Sequence, residues 1–101
     1  MSGVSDFEQA ASDYAGGRES HIYRQPGSPR LYAFFAVGGR PRHVVSIGDH
    51  VPALTWIRGY VAAMSRVADT ADKGRVRLLS PQEWWDAGGR FDGPADFAAT
   101  F

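Results

Sequence analysis

Residues 30–70 read RLYAFFAVGGRPRHVVSIGDHVPALTWIRGYVAAMSRVADT, and this stretch decides the fold. From Leu31 to Val37 every side chain is apolar or aromatic. Gly38-Gly39-Arg40-Pro41 is turn chemistry, and Arg42 to Ile47 returns to strand-forming residues. From Val51 to Ala68 the period changes. Ala53, Ile57, Tyr60, Val61, Met64, Val67 and Ala68 recur at three- and four-residue steps, with Leu54 on the flank, while Thr55, Arg58, Ser65, Arg66 and Asp69 take the opposite side. The stretch therefore predicts two strands, a tight glycine turn and one long amphipathic helix. A sheet with an apolar face needs a cover, and this helix supplies it.

The first strand has no polar side. Leu31, Ala33, Phe35 and Val37 form one alternating set, and Tyr32, Phe34 and Ala36 the other. Such a strand belongs at the centre of a sheet. The helix is expected to form the main core with Leu31, Phe35, Val45 and Ile47. Asp49 is its N-cap candidate, and Pro52 is tolerated only in a first turn. Gly59 interrupts it at a cost of about 1 kcal/mol against Ala, which predicts a close neighbour at that backbone, Trp56 or a strand aromatic.

Upstream, Ser5-Asp6-Phe7-Glu8 has the form of a capping box, and Phe7, Ala10, Ala11 and Tyr14 share one helical face before Gly16-Gly17. A short amphipathic helix is expected there. Ser20 to Gln25 reads as a strand with Ile22 on one side and His21 and Tyr23 on the other, stopped by Pro26-Gly27-Ser28-Pro29. It completes a three-stranded antiparallel meander. Downstream, Ala71-Asp72-Lys73-Gly74 is a loop, and Val76 to Leu79 a fourth short strand at a sheet edge. Ser80-Pro81-Gln82-Glu83 then opens a brief helix bearing Trp84-Trp85 and ended by Gly88-Gly89. A flexible tail carries Phe91, Phe97 and Phe101. The expected fold class is α+β in the order α-β-β-β-α-β-α. It is a single domain over residues 1–101, with an antiparallel three- to four-stranded sheet under one long helix.

Composition narrows the function classes. At 101 residues, 44% hydrophobic and 13% aromatic, the chain has the make-up of one folded domain. It has no cysteine, which removes disulfides, thiolate metal sites and a thiol nucleophile. No apolar run approaches the roughly 20 residues of a membrane span, and no signal pattern opens the chain, so a cytoplasmic protein is expected. Eleven basic and eleven acidic residues cancel, but unevenly. Residues 18–43 carry Arg18, Arg24, Arg30, Arg40 and Arg42 against Glu19, between acidic ends holding Asp6, Glu8 and Asp13, and Glu83, Asp86, Asp92 and Asp96.

Catalytic and metal motifs do not assemble on the sequence. His21, His43 and His50 lack the spacing of a metal site, although strand placement leaves open whether His21 and His43 meet. Ser46, Asp49 and His50 supply the residue types of a hydrolase, but chain neighbours rarely stand in the geometry of a triad, and Asp49 serves as a cap. The glycine pairs lack phosphate-loop spacing. No catalytic residue, metal or cofactor is assigned. Two contact features remain. Trp84 and Trp85 are about 100° apart on a helix, so either both help bury a small core, or one enters the core while the other is free for a partner, tryptophan being enriched at binding hot spots. The hairpin arginines Arg24, Arg30, Arg40 and Arg42, with Tyr32 and Phe34 between them, are the alternative: either a solvated sheet face or a surface for phosphates.

Within residues 31–73, the aromatic strand with Tyr32 and Phe34, then Gly39-Arg40-x-Arg42, Ser46-Ile47-Gly48-Asp49, Pro52-x-Leu54 and Ile57-Arg58 resemble the arm-type DNA-binding domain of tyrosine integrases. The resemblance implies a small sheet with one helix and DNA binding. It covers under half the chain. The function expected from the residues themselves is non-enzymatic recognition of another protein through Trp84, Trp85, Tyr32 and Phe34, with a second copy of the chain as one partner. An accessory subunit would suit such a domain. So would an inhibitor encoded by a phage or plasmid against a host defence complex, in the manner of anti-CRISPR proteins. DNA binding through the arginine-rich hairpin is the alternative.

Overall fold

The strands and helices of the computed structural model run β1 (Glu8–Gln9), β2 (Tyr14–Ala15), β3 (Arg18–Glu19), β4 (Tyr23–Arg24), β5 (Arg30–Val37), β6 (Arg40–Ile47), α1 (His50–Thr70), β7 (Val76–Leu79), α2 (Pro81–Asp86) and β8 (Phe97–Thr100). The structure describes residues 6–10, 14–15, 18–19, 21–70, 76–91, 95 and 97–101. The Ser5 cap, Ala11, the Gly16-Gly17 stop, the 71–74 loop and tail residues 92–94 and 96 lie outside the described residues.

The β5–β6 hairpin organises everything else. Its turn residues Gly38 and Gly39 have φ of 59° and 81°, the positive values that a two-residue hairpin turn of the primed type demands at both positions. The ladder runs from Val37↔Arg40 back to Arg30↔Ile47. One edge of β5 is shared end to end: β4 pairs at Tyr23↔Tyr32, and β7 pairs from Phe34↔Leu79 to Val37↔Val76. β1 extends the sheet beyond β4. On the far side β8 runs parallel to β6, from Val44↔Phe97 to Ile47↔Thr100. The sheet is thus six-stranded and mixed, where three or four antiparallel strands were expected. The α+β class and the β4–β5–β6 meander hold. β2 and β3 form a separate two-stranded ladder.

The expected first helix is replaced by strand pairing over its described residues. A helix of two or three turns is marginal on its own, whereas the extended chain bonds to β4 and beyond, with the Ala10 N–H donating to the Ile22 carbonyl at 2.8 Å. It also sends Phe7 and Ala10 to opposite faces of the sheet. The tail is corrected too, because residues 97–100 are a strand of the main sheet.

Both faces of β5 are buried from Leu31 to Ala36. On one side Leu31, Ala33 and Phe35 join Ile22, Val44, Ala53, Ile57 and Val61 beneath α1. On the other, Tyr32, Phe34 and Ala36 join Val45, Leu79 and Trp84. Val45 and Ile47 therefore sit on the face away from α1, contrary to the core expected from the sequence. Directly paired residues share a face, so the helix-side strand residues Leu31 and Ala33 bring Ser46 and Val44 with them. Ser46 is fully buried and its Oγ donates to the Ala53 carbonyl at 3.0 Å, tying sheet to helix.

The caps of α1 and α2 stand where the sequence predicts, whereas Glu8 of the expected N-terminal capping box lies in β1. The Ala53 N–H donates to the Asp49 carbonyl at 3.0 Å, placing Asp49 at the N-cap of α1. At α2 the Glu83 N–H donates to Ser80 Oγ and the Ser80 N–H donates to Glu83 Oε1, closing the capping box. Gly59 departs from expectation: it is exposed, and a Cβ there would meet nothing within 4 Å.

Two stability outcomes follow from this packing. Ile57 is fully buried, so Ile57→Asp strands a carboxylate at a cost of several kcal/mol against a total of about 5–15, and should abolish the cooperative thermal transition. Gly59→Ala should do the reverse, adding about 0.4–1 kcal/mol and raising the melting midpoint by a few degrees. A lowered midpoint in calorimetry would place an unseen neighbour at that helix position.

Candidate interaction surface

Aromatic rings gather on each face of the sheet, and the two groups have opposite characters. The first is closed except at Phe91, which is 37% exposed. Phe34 lies 4.7 Å from Trp84, stacks on Tyr32 at 5.9 Å and meets Phe7 edge-on at 5.6 Å. Phe91 stands 4.7 Å from Trp84, and His43 5.3 Å from the same indole. The Trp84 ring is wedged against the backbone of Gly89, where any Cβ would overlap the indole. Its Nε1–H is buried with no acceptor among the described residues.

Three of the four residues expected to meet a partner are therefore core. Tyr32, Phe34 and Trp84 keep 8%, 0% and 1% of their surface, which leaves a partner nothing to grip. The reason is coverage: among the described residues the one helix over the α2 side of β5 has six residues, so ring area supplies what helix length does not. Trp85 alone is partly accessible. The Arg90 guanidinium lies 3.9 Å from the centre of its ring, held there by Nη1 donating to the carbonyls of Trp85 and Gly89.

The second group is open. Trp56 and Tyr60, one helical turn apart on α1, lie 5.6 Å apart. Trp56 meets Phe97 at 5.4 Å and Phe101 at 6.2 Å, and Tyr60 meets Phe97 at 6.3 Å. Phe97 is 51% exposed and Phe101 44%. Ala63 and Val67 continue the same helical stripe, and Val67 is 43% exposed. β8 presents Phe97, Ala99 and Phe101 toward this stripe because residues paired to Val44 and Ser46 share the α1 face. The sequence held one usable sign of this surface, the alternation Phe97-x-Ala99-x-Phe101. Alanine is depleted in strands, which weakened the pattern.

The arginines of the hairpin do not form one patch. Arg30 pairs with Ile47 and Arg40 with Val37, so they stand at opposite ends of the ladder, about 24 Å apart at strand rise. They also lie on opposite faces, since Arg40 shares the face of Val37 and Arg30 that of Tyr32. Arg42 is exposed opposite Phe35, on the α1 side. Arg24 donates through Nε to Glu8 Oε2 at 3.0 Å in a solvent-exposed pair, worth at most about 1 kcal/mol.

For chemistry the described residues offer little. Ser46 is buried with its proton given to Ala53, while Asp49 and His50 are exposed at the start of α1. Among the described residues no group of three or more His, Cys, Asp or Glu side chains is placed to hold a metal ion, and no helix is long and apolar enough to cross a membrane.

The tryptophan pair separates in a mutational test. Trp84→Ala should cost about 3–5 kcal/mol, whereas Trp85→Ala should cost no more than about 1. Gly89→Ala should destabilise by about 1–3 kcal/mol through overpacking against the indole. Chemical denaturation of the three variants checks the order; equal losses for Trp84→Ala and Trp85→Ala would contradict this packing.

Comparison of the chain with protein-family models, curated proteins and solved structures finds no match.

Proposed function

We propose that this chain is a non-enzymatic binding module that acts by recognising another protein through the surface where α1 meets β8. The observation that carries the reading is the pair Phe97 and Phe101, each about half exposed and backed by Trp56 and Tyr60. Aromatic side chains already held in place lose little conformational freedom on binding, and clusters of them are the usual energetic centres of protein interfaces. An accessory subunit or an inhibitor of a larger complex is the role we assign to such a surface. The second reading is DNA binding through Arg40 and Arg42, exposed together at the turn end of the hairpin, in keeping with the resemblance of residues 31–73.

Affinity capture from the native source with wild-type and Phe97→Lys baits tests the first reading. A protein retained by wild type should bind the variant roughly 30-fold more weakly, the loss of a hot spot of about 2 kcal/mol, while the variant melts as wild type does. Capture unchanged by Phe97→Lys overturns the assignment to this surface. For the second reading, DNA affinity should fall steeply between about 50 and 200 mM salt and weaken in Arg40→Ala. Gel shifts without binding at low salt remove it.

A further inference from the structure

β8 stands at one end of the sheet order β1-β4-β5-β6-β8, and among the described residues nothing pairs with its outer edge. The Phe101 N–H donates to the Ile47 carbonyl at 2.7 Å, and the Phe101 carbonyl accepts from the Asp49 N–H at 3.4 Å. Residue 101 thus turns its backbone groups inward. Strand alternation turns those of Phe97 and Ala99 inward as well, and leaves the N–H and C=O of Ala98 and Thr100 directed outward. An edge of this kind is a template for another strand. Proteins blunt such edges with charge, proline or bulges, but residues 97–101 read Phe-Ala-Ala-Thr-Phe, with neither charge nor proline.

We infer that the occupant of this edge is β8 of a second copy of the chain, paired antiparallel about a two-fold axis at Ala99. The inference rests on reading the α1–β8 edge as a contact surface. Three features point to a copy. Centred on Ala99, the pairing sets Ala98 against Thr100 of the other chain, so the outward backbone groups meet as two reciprocal hydrogen-bonded pairs. Ala99 then faces itself in the closer, non-hydrogen-bonded pair, where a small side chain fits. Phe97 faces the second copy's Phe101 on the α1 side, so each ring left half exposed in one chain is covered by the other. Finally, β8 and the α1 stripe of Trp56, Tyr60, Ala63 and Val67 carry no charged side chain, so these residues set no like charges against one another when the strand meets its copy.

The area sets the strength. Phe97 and Phe101 expose roughly 200 Å² between them, on a scale of about 150–250 Å² per aromatic side chain. That is a fraction of the roughly 800 Å² per partner in a stable complex. The dimer is weak and reversible, and a protein partner that engages the same edge competes with it.

Sedimentation equilibrium on the full chain from about 10 μM to about 1 mM covers the span of such an affinity. The apparent mass should rise from that of one chain toward twice that value. Amide exchange read by NMR should slow at Ala98 and Thr100 with rising concentration, by roughly tenfold, and stay constant at Ala99. Ala98→Pro removes an outward N–H without breaking a bond inside the chain, and Phe97→Lys places a charge against its own copy. Each should stay monomeric at about 1 mM with a wild-type melting midpoint, and Phe97→Lys serves should Ala98→Pro not fold. A wild-type mass that stays at one chain, or a dimer that persists in the folded variant, overturns the inference. Neither result touches protein recognition, which falls only if capture of a partner is indifferent to Phe97→Lys.

Discussion

A strand without a polar face has to be covered twice, and β5 is such a strand. Leu31 to Ala36 are buried in succession, so leaving either side of the sheet in water would expose a row of large apolar side chains. The chain spends its one long helix on Leu31, Ala33 and Phe35. The opposite face, with Tyr32 and Phe34, must be closed by whatever remains. That second requirement explains most of what is unusual in the structure.

What remains is short: six residues of α2, the N-terminal Phe7 and the segment around Phe91. Elements of this size bury enough surface only if they are rich in rings, each contributing about 150–250 Å². Hence Trp84 lies against Phe34 while Phe7 and Phe91 close over Tyr32. Gly89 has to lack a side chain for the indole to lie where it does. The rings of Tyr32, Phe34 and Trp84 are consumed in holding the domain together, while Phe97 and Phe101 at the edge of the sheet stay about half exposed.

That edge is fixed at one crowded point. Gly48, between β6 and α1, has φ of 117°, and a Cβ there would overlap the Phe101 carbonyl. The turn that launches the helix and the site where the C-terminal strand docks are therefore the same place. Because β8 adds to β6 in parallel, Phe97 and Phe101 arrive beside the flank of α1 and not under it. They shield Trp56 and remain half open themselves. Among the described residues no strand pairs beyond β8, which leaves its aromatic side chains accessible.

The sequence by itself determined the parts governed by local chemistry: the hairpin with its two glycines at positive φ, the period change into α1, the Ser80–Glu83 cap and the central place of β5. Even the facing of β6 was written there. A two-residue turn that sets Val37 opposite Arg40 forces odd-numbered residues of β5 to face even-numbered ones of β6, which turns Val44 and Ser46 toward α1. Only the tertiary structure decided that residues 8–9 and 97–100 are strands, because segments of two to four residues carry almost no periodicity and are held by partners far away in the chain. It likewise decided that Tyr32, Phe34 and Trp84 are interior, that Arg30 parts company with Arg40 and Arg42, and that Phe97 and Phe101 stay in reach of solvent. Burial and exposure are properties of what comes to lie on top of a residue, and over Tyr32 and Phe34 the covering pieces are Phe7, α2 and Phe91, far from β5 in the chain.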